Sequence, residues 1–231
     1  MRFSDDEWVA IALSLKVAAL AVSISLPLGI LVAWLLARRR FFGKSLLSAV
    51  IALPLILPPV VTGYLLLIAF GRKGVFGIFF EATFGLVFSF RWTGAALAAA
   101  IMGFPLLVQP ILISMEAIDR RLEAAASTLG ASPLWTFLTI TLPLSLPGII
   151  AGTVLAFARS LGEFGATITF VSSIPGETQT LASAIHAALQ DPDGEPQALR
   201  LTVFSILISL AAIFLSGIVS RFVARRLGAA A

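Results

Sequence analysis

Apolar residues run along this chain in five long blocks, at about 9–37, 46–70, 93–115, 144–171 and 201–220, separated by shorter polar stretches. Each block reaches or exceeds the ~20 residues that carry a helix across a bilayer. The pattern therefore predicts an all-α polytopic membrane protein with five transmembrane helices forming a single domain over 1–231. The stretch 116–143 breaks the pattern. Ile118, Leu122, Ala125, Ala126 and Leu129 recur at helical spacing with Asp119, Arg120, Arg121 and Glu123 between them, which predicts an amphipathic helix outside the membrane. Gly130 falls at the position of a C-terminal cap, and Ser132-Pro133 reads as an N-cap followed by a first-turn proline. Leu134, Phe137 and Leu138 give the second short helix an apolar face, and Thr141-Leu142-Pro143 is expected to end it. Leu181, Ile185 and Leu189 mark a further amphipathic helix of about three turns, too short to span. Val75 to Phe90 is an apolar connector expected at the membrane interface.

Composition fits this reading: 59% of the residues are hydrophobic and 12% charged, with a mean hydropathy of +1.03. There is no cysteine and one histidine, His186, so a thiolate or multi-histidine metal site is excluded and His186 reads as a surface residue. The formal charge of +4 is no nucleic-acid signal, because the basic residues cluster at the ends of the apolar blocks. Nine lie with 38–45, 116–143 and the C-terminus (Arg38, Arg39, Arg40, Lys44, Arg120, Arg121, Arg221, Arg225 and Arg226). Five lie on the other side (Arg2, Arg72, Lys73, Arg91 and Arg200). The positive-inside rule places the N-terminus outside, the C-terminus inside and 116–143 in the cytoplasm. Lys16, near the outer end of the first span, is expected to snorkel to the interface. Gly43-Lys44-Ser45 resembles the end of a phosphate-binding loop, but Arg38 stands where the earlier glycine is required.

Three groups of residues in the apolar blocks stand out. Leu57-Pro58-Pro59-Val60-Val61-Thr62-Gly63-Tyr64 follows Pro54, and three prolines in one span preclude a straight helix. Gly103-Phe104-Pro105 and Gln109-Pro110 are expected to break the third span. Ser160-Leu161-Gly162-Glu163-Phe164-Gly165-Ala166 lies in the fourth, where Arg159 and Glu163 are four apart on what the spacing makes one helical face. Ionisable residues at that depth mark either a path or a structural pair. Read as a structural pair, the two would be interchangeable, and exchanging them would restore the fold.

The segment from Glu123, Ala125 and Ala126 through Gly130 to Ile140, Leu142 and Pro143, the proline thirteen residues after the glycine, resembles the coupling loop of ABC importer permeases. The family's glutamate position holds Ala124 here, and Glu123 comes one residue early. Together with the 57–64 and 160–166 runs, the loop is similar to that of molybdate ABC importer permeases, close kin of the sulfate and thiosulfate permeases. The likeness extends over nearly the whole chain.

That resemblance implies a type I importer permease in a bacterial inner membrane, itself without bond chemistry or cofactor. The implied partners are two ATPase subunits that bind ATP and magnesium, a periplasmic oxyanion-binding protein and a second permease copy. Glu123, Ala125, Ala126, Gly130, Leu134, Phe137, Leu138, Ile140, Leu142 and Pro143 would couple to the ATPase. Pro58, Pro59, Thr62, Arg159, Ser160, Glu163 and Thr167 are candidates for the path or its gate. The alternatives are a sulfate, thiosulfate or tungstate permease, a non-transporting scaffold or channel, and an intramembrane enzyme.

Overall fold

The computed structural model describes residues 4–226, which are helical with no strand among them. Ser4 opens α1 (Asp5–Arg38) with a capping box to Glu7, and 34 residues make the helix about 51 Å long. That exceeds the ~30 Å hydrocarbon thickness, so both ends stand in or beyond the headgroups. α2 (Lys44–Ile56) and α3 (Pro59–Phe70) follow, then the short α4 (Val75–Phe84) and the 25-residue α5 (Trp92–Glu116). α6 (Arg120–Thr128) and α7 (Pro133–Thr136) form the polar loop. A π-helical turn, Phe137–Thr141, leads into α8 (Leu142–Leu144). The chain closes with α9 (Leu146–Leu161), α10 (Gly165–Val171), α11 (Leu181–Ala188) and α12 (Glu195–Arg226).

Three helices, α1, α5 and α12, are unbroken and long enough to cross a membrane, and two bent pairs bring the number to five. α5 lies at the centre, packed along α1 and along α9. Ala95, Ala96, Ala98, Ala99 and Met102 in its first half join Val17, Ala21, Leu66, Ala166, Phe170 and Val171 in one cluster. Leu107, Val108, Ile111 and Met115 in its second half join Ala33, Leu36, Ile51, Ile149 and Ala156 in another. The alanine-rich face lets α5 approach its neighbours closely, which is how helices gain dispersion energy in lipid. By contrast, α12 leaves Val203, Ile206, Leu207, Leu210, Ile213 and Phe214 exposed, a face suited to lipid or a second membrane subunit.

Several local expectations are corrected. α5 runs straight through Pro105 and Pro110; packed neighbours tolerate the freed backbone groups. The second span is more than kinked: α2 and α3 meet at 115° across Leu57-Pro58. Ile118 is buried in the turn between α5 and α6 rather than lying on α6. Pro143 does not end the second loop helix. The π turn just before it widens the helix where the proline ring would meet the carbonyl four residues back. The bend, 67°, comes instead at Ser145, two residues before Pro147 in the first turn of α9.

The fourth span is not one helix either. It breaks at Gly162 and resumes as α10, so Arg159 lies in the last turn of α9 and Glu163 in the interruption itself. The Lys16 ammonium lies 3.7 Å above the ring of Trp92, the first residue of α5. Of the residues in the charge comparison, Arg2 and the side chains of Arg221, Arg225 and Arg226 lie outside the described residues.

Candidate functional site

Two places gather the residues singled out in the sequence. The first is the polar loop. Asp119 caps α6 through a hydrogen bond from the Arg121 amide (2.9 Å). At the other end Gly130 has φ +86°. The Gly130 amide bonds to the Ser127 carbonyl (3.1 Å), and the Ala131 amide reaches back to Ala126 (3.1 Å). That is a Schellman closure, and it requires the left-handed conformation that glycine adopts without a β-carbon penalty. Ser132 then accepts the Trp135 amide (3.3 Å) to start α7. A valine at 130 is expected to cost about 1–3 kcal/mol from strain alone, since nothing lies within 4 Å of the β-carbon it would add. Gly130→Val is therefore expected to insert and fold but to lower the melting midpoint. A parental midpoint in that variant would mean the turn tolerates another geometry.

Glu123 faces inward from α6. Its Oε1 accepts from Arg38 Nε (2.9 Å) at the end of α1 and from the Thr141 hydroxyl (2.6 Å) in the π turn. Arg120 Nη2 donates to the Ala37 carbonyl (3.0 Å). These bonds tie both loop helices to the end of α1 and place residues 38 and 116–143 at one end of the bundle. The early glutamate thus binds the loop internally. Phe137 packs edge-on against Trp34, with centroids 6.0 Å apart, and Leu142 joins the inner core cluster. Ile140 and Pro143 are half-buried. Ala125 is exposed and Ala126 half-buried, while Leu134 and Leu138 project outward.

The sequence reading passed over Trp135, 62% exposed beside Leu129 at 88%. Both line a concave surface that runs past Gly130 and Ser132. An exposed tryptophan outside the apolar blocks was the available signal.

The second place joins the two proline- and glycine-marked runs, about a hundred residues apart in the chain. α3 and α10 each follow a break, and they pack directly on one another. Gly63 lies against the Ala166 backbone and Thr169, and Pro59 lies against Gly165. Just before α10, Glu163 accepts the Ala166 amide at Oε1 (2.8 Å) and holds Arg159 Nη1 2.6 Å from Oε2. The Glu163 side chain is 1% exposed and that of Arg159 27%. Thr62 and Thr167 are buried, and the Thr62 hydroxyl has no hydrogen-bond partner among the described residues. Ser160 faces away from this junction and donates to the Ala99 carbonyl of α5 (3.4 Å). Pro58 is exposed at the bend. A third junction was not anticipated: Glu7, buried, accepts from Arg200 Nη2 (2.8 Å) and pins the start of α12 to the start of α1.

A bundle bent at two breaks, with a capped two-helix loop at one end, matches the family described as binding-protein-dependent transport system inner membrane component over residues 25–228. The chain belongs to this family. Among curated relatives, the molybdenum transport system permease protein ModB of Escherichia coli (strain K12) is 56% identical over 228 residues, covering 99% of this chain and all of that one. The ModB protein of Haemophilus influenzae is 57% identical over 219 residues, 95% of this chain and 96% of the relative. Among solved structures, a bacterial alginate ABC transporter in complex with an alginate pentasaccharide-bound periplasmic protein aligns with a TM-score of 0.72. That alignment covers 97% of this chain and 80% of the transporter chain, at 19% identity, and so speaks for the fold alone. As a family member the chain is a multi-pass membrane component of an importer and not its ATPase.

Proposed function

We propose that the chain is the permease subunit of an ATP-driven importer of molybdate. The observation that carries this reading is its full-length identity to proteins named molybdenum transport permeases. Two permease copies would line one path, with the α3–α10 junction and Arg159 beside it. Two ATPase subunits, which would bind ATP and magnesium, would each receive the tip of the polar loop, where Leu129, Leu134, Trp135 and Leu138 stand exposed. A periplasmic binding protein would deliver the anion from the opposite side. Closure of the ATPases would move the loop as a unit, because Glu123 and Phe137 fasten it to α1. Arg159 keeps an exposed edge toward which an anion could be drawn. The carboxylate of Glu163 beside it would keep that attraction weak enough for release.

The test is reconstitution with the ATPase and binding protein in vesicles. Molybdate-loaded binding protein is expected to stimulate ATP hydrolysis and uptake, and stimulation by sulfate alone would transfer the assignment to the sulfate kin. Orientation is tested separately by thiol labelling, since the chain has no cysteine of its own. A single cysteine at Ser132 is expected to react only from the cytoplasmic side, as the charge asymmetry requires. Labelling from outside would invert the topology.

A further inference from the structure

The polar loop and the end of α1 form a cleft of about 310 Å³. Arg38, Arg39 and Arg120 line it with a single carboxylate, Glu123. Arg120 is held by the Ala37 carbonyl and Arg38 Nε by Glu123, yet the buried Arg38 Nη2 has no hydrogen-bond partner among the described residues. The Arg38 side chain is 9% exposed, so this is a desolvated cationic donor in the wall of a basic cleft. Such a group is costly unless an anion completes it. A second, almost wholly apolar groove of about 260 Å³ adjoins it, sharing Trp34, Pro133 and Phe137 and lined further by Leu31 and Leu134. Leu31, Trp34 and Arg38 are three and four residues apart, on one face of α1. The groove therefore follows that helix from the membrane toward the surface, with the basic cleft at its polar end.

We infer that this pair of cavities is a binding site for an anionic phospholipid, its headgroup phosphate among the arginines and one acyl chain along Leu31 and Trp34. A basic pocket at the end of a span, beside an apolar groove, complements that molecule on both counts. A free anion has no use for the groove. An acidic segment of a partner has no use for it either. Because Glu123, Thr141 and Phe137 form the walls, the bound lipid would brace the loop against α1. The site does not depend on which anion the permease carries.

The experiment is native mass spectrometry of the full-length permease with its ATPase in detergent. The complex is titrated with phosphatidylglycerol and, separately, with phosphatidylcholine of the same acyl chains. Phosphatidylglycerol is expected to be retained preferentially. Arg39 is exposed, holds no ion pair among the described residues and touches only the Trp34 ring there, 5.5 Å from its centroid, a weak contact, so Arg39→Gln is expected to keep the fold. That variant is expected to lose about fivefold in affinity for phosphatidylglycerol, with phosphatidylcholine unchanged. Leu31→Trp, which fills the groove without touching the arginines, is expected to weaken phosphatidylglycerol as well. Equal retention of the two lipids would overturn the proposal. So would an unaltered affinity in Leu31→Trp, or displacement of the lipid by millimolar inorganic phosphate. Retention only after the ATPase is stripped away would assign the cleft to the partner instead.

Discussion

Arg159→Ala is expected to destabilise the permease by about 3 kcal/mol, the lower end of the cost of breaking a buried ion pair by removing one partner. The loss falls on Glu163, whose side chain is 1% exposed and would be left with one donor, the Ala166 amide. The reverse change is milder. Glu163→Gln retains an amide oxygen for the Ala166 amide, and Arg159, 27% exposed, is the less buried partner of the two. Glu163→Ala removes both the counter-charge and the acceptor and is expected to fall between these in stability, with α10 frayed at its start. Spacing alone treats the two residues as an interchangeable pair, but the break at Gly162 makes the pair directional. An arginine at 163 has five donors and no acceptor, so the exchange Arg159→Glu with Glu163→Arg strands the Ala166 amide. The exchanged protein is therefore expected to remain less stable than the parent. Thermal aggregation of the detergent complex, basal ATP hydrolysis and molybdate uptake separate the outcomes. Full recovery of stability in the exchanged protein would show that the carboxylate does not hold the start of α10.

Features that depend on a few neighbouring residues were legible in the sequence. The five apolar blocks predict the spans because a bilayer leaves a helix no alternative. Gly130, Ser132 and Pro133 mark the loop turn because caps are local chemistry. Breaks were harder. Five prolines in the second and third spans carry the same signal, yet the chain turns 115° at Pro58-Pro59 and passes straight through Pro105 and Pro110. The difference lies in the surroundings: α5 is walled by α1 and α9, whereas α2 buries only Ile51. Pro143 misled in the same way, since a π turn absorbs it. Least legible were the long-range partners. Nothing near Glu123 in the sequence points to Arg38, 85 residues away, nor near Glu7 to Arg200. The 57–64 and 160–166 runs could each be singled out, but only the fold shows that α3 and α10 are pressed together.

Gly63 sets how tightly they are pressed, and Gly63→Val is expected to abolish uptake and prevent a stable complex. A β-carbon at position 63 would lie 2.6 Å from the Ala166 carbonyl oxygen, 2.9 Å from the Ala166 Cα and 2.9 Å from the Thr169 Cβ. Two of these three atoms are backbone, so no rotamer change relieves the clash, and one helix must move. α10 cannot yield easily. It has seven residues, its Ala166 amide is held by Glu163, and Phe170 and Val171 are fully buried in the cluster against α5. α3 would have to lift instead, pulling Leu66 from that cluster and parting Pro59 from Gly165. For Gly63→Ala, overpacking of this kind costs about 1–3 kcal/mol, which is expected as a lower melting midpoint with reduced uptake. Val61, two residues away on the other side of α3 and 40% exposed, provides the control: Val61→Leu adds bulk outside the contact and is expected to leave both measurements unchanged. Gly63→Ala with parental stability and uptake would mean that α3 and α10 separate freely. Their contact would then not be the close packing that holds this part of the bundle.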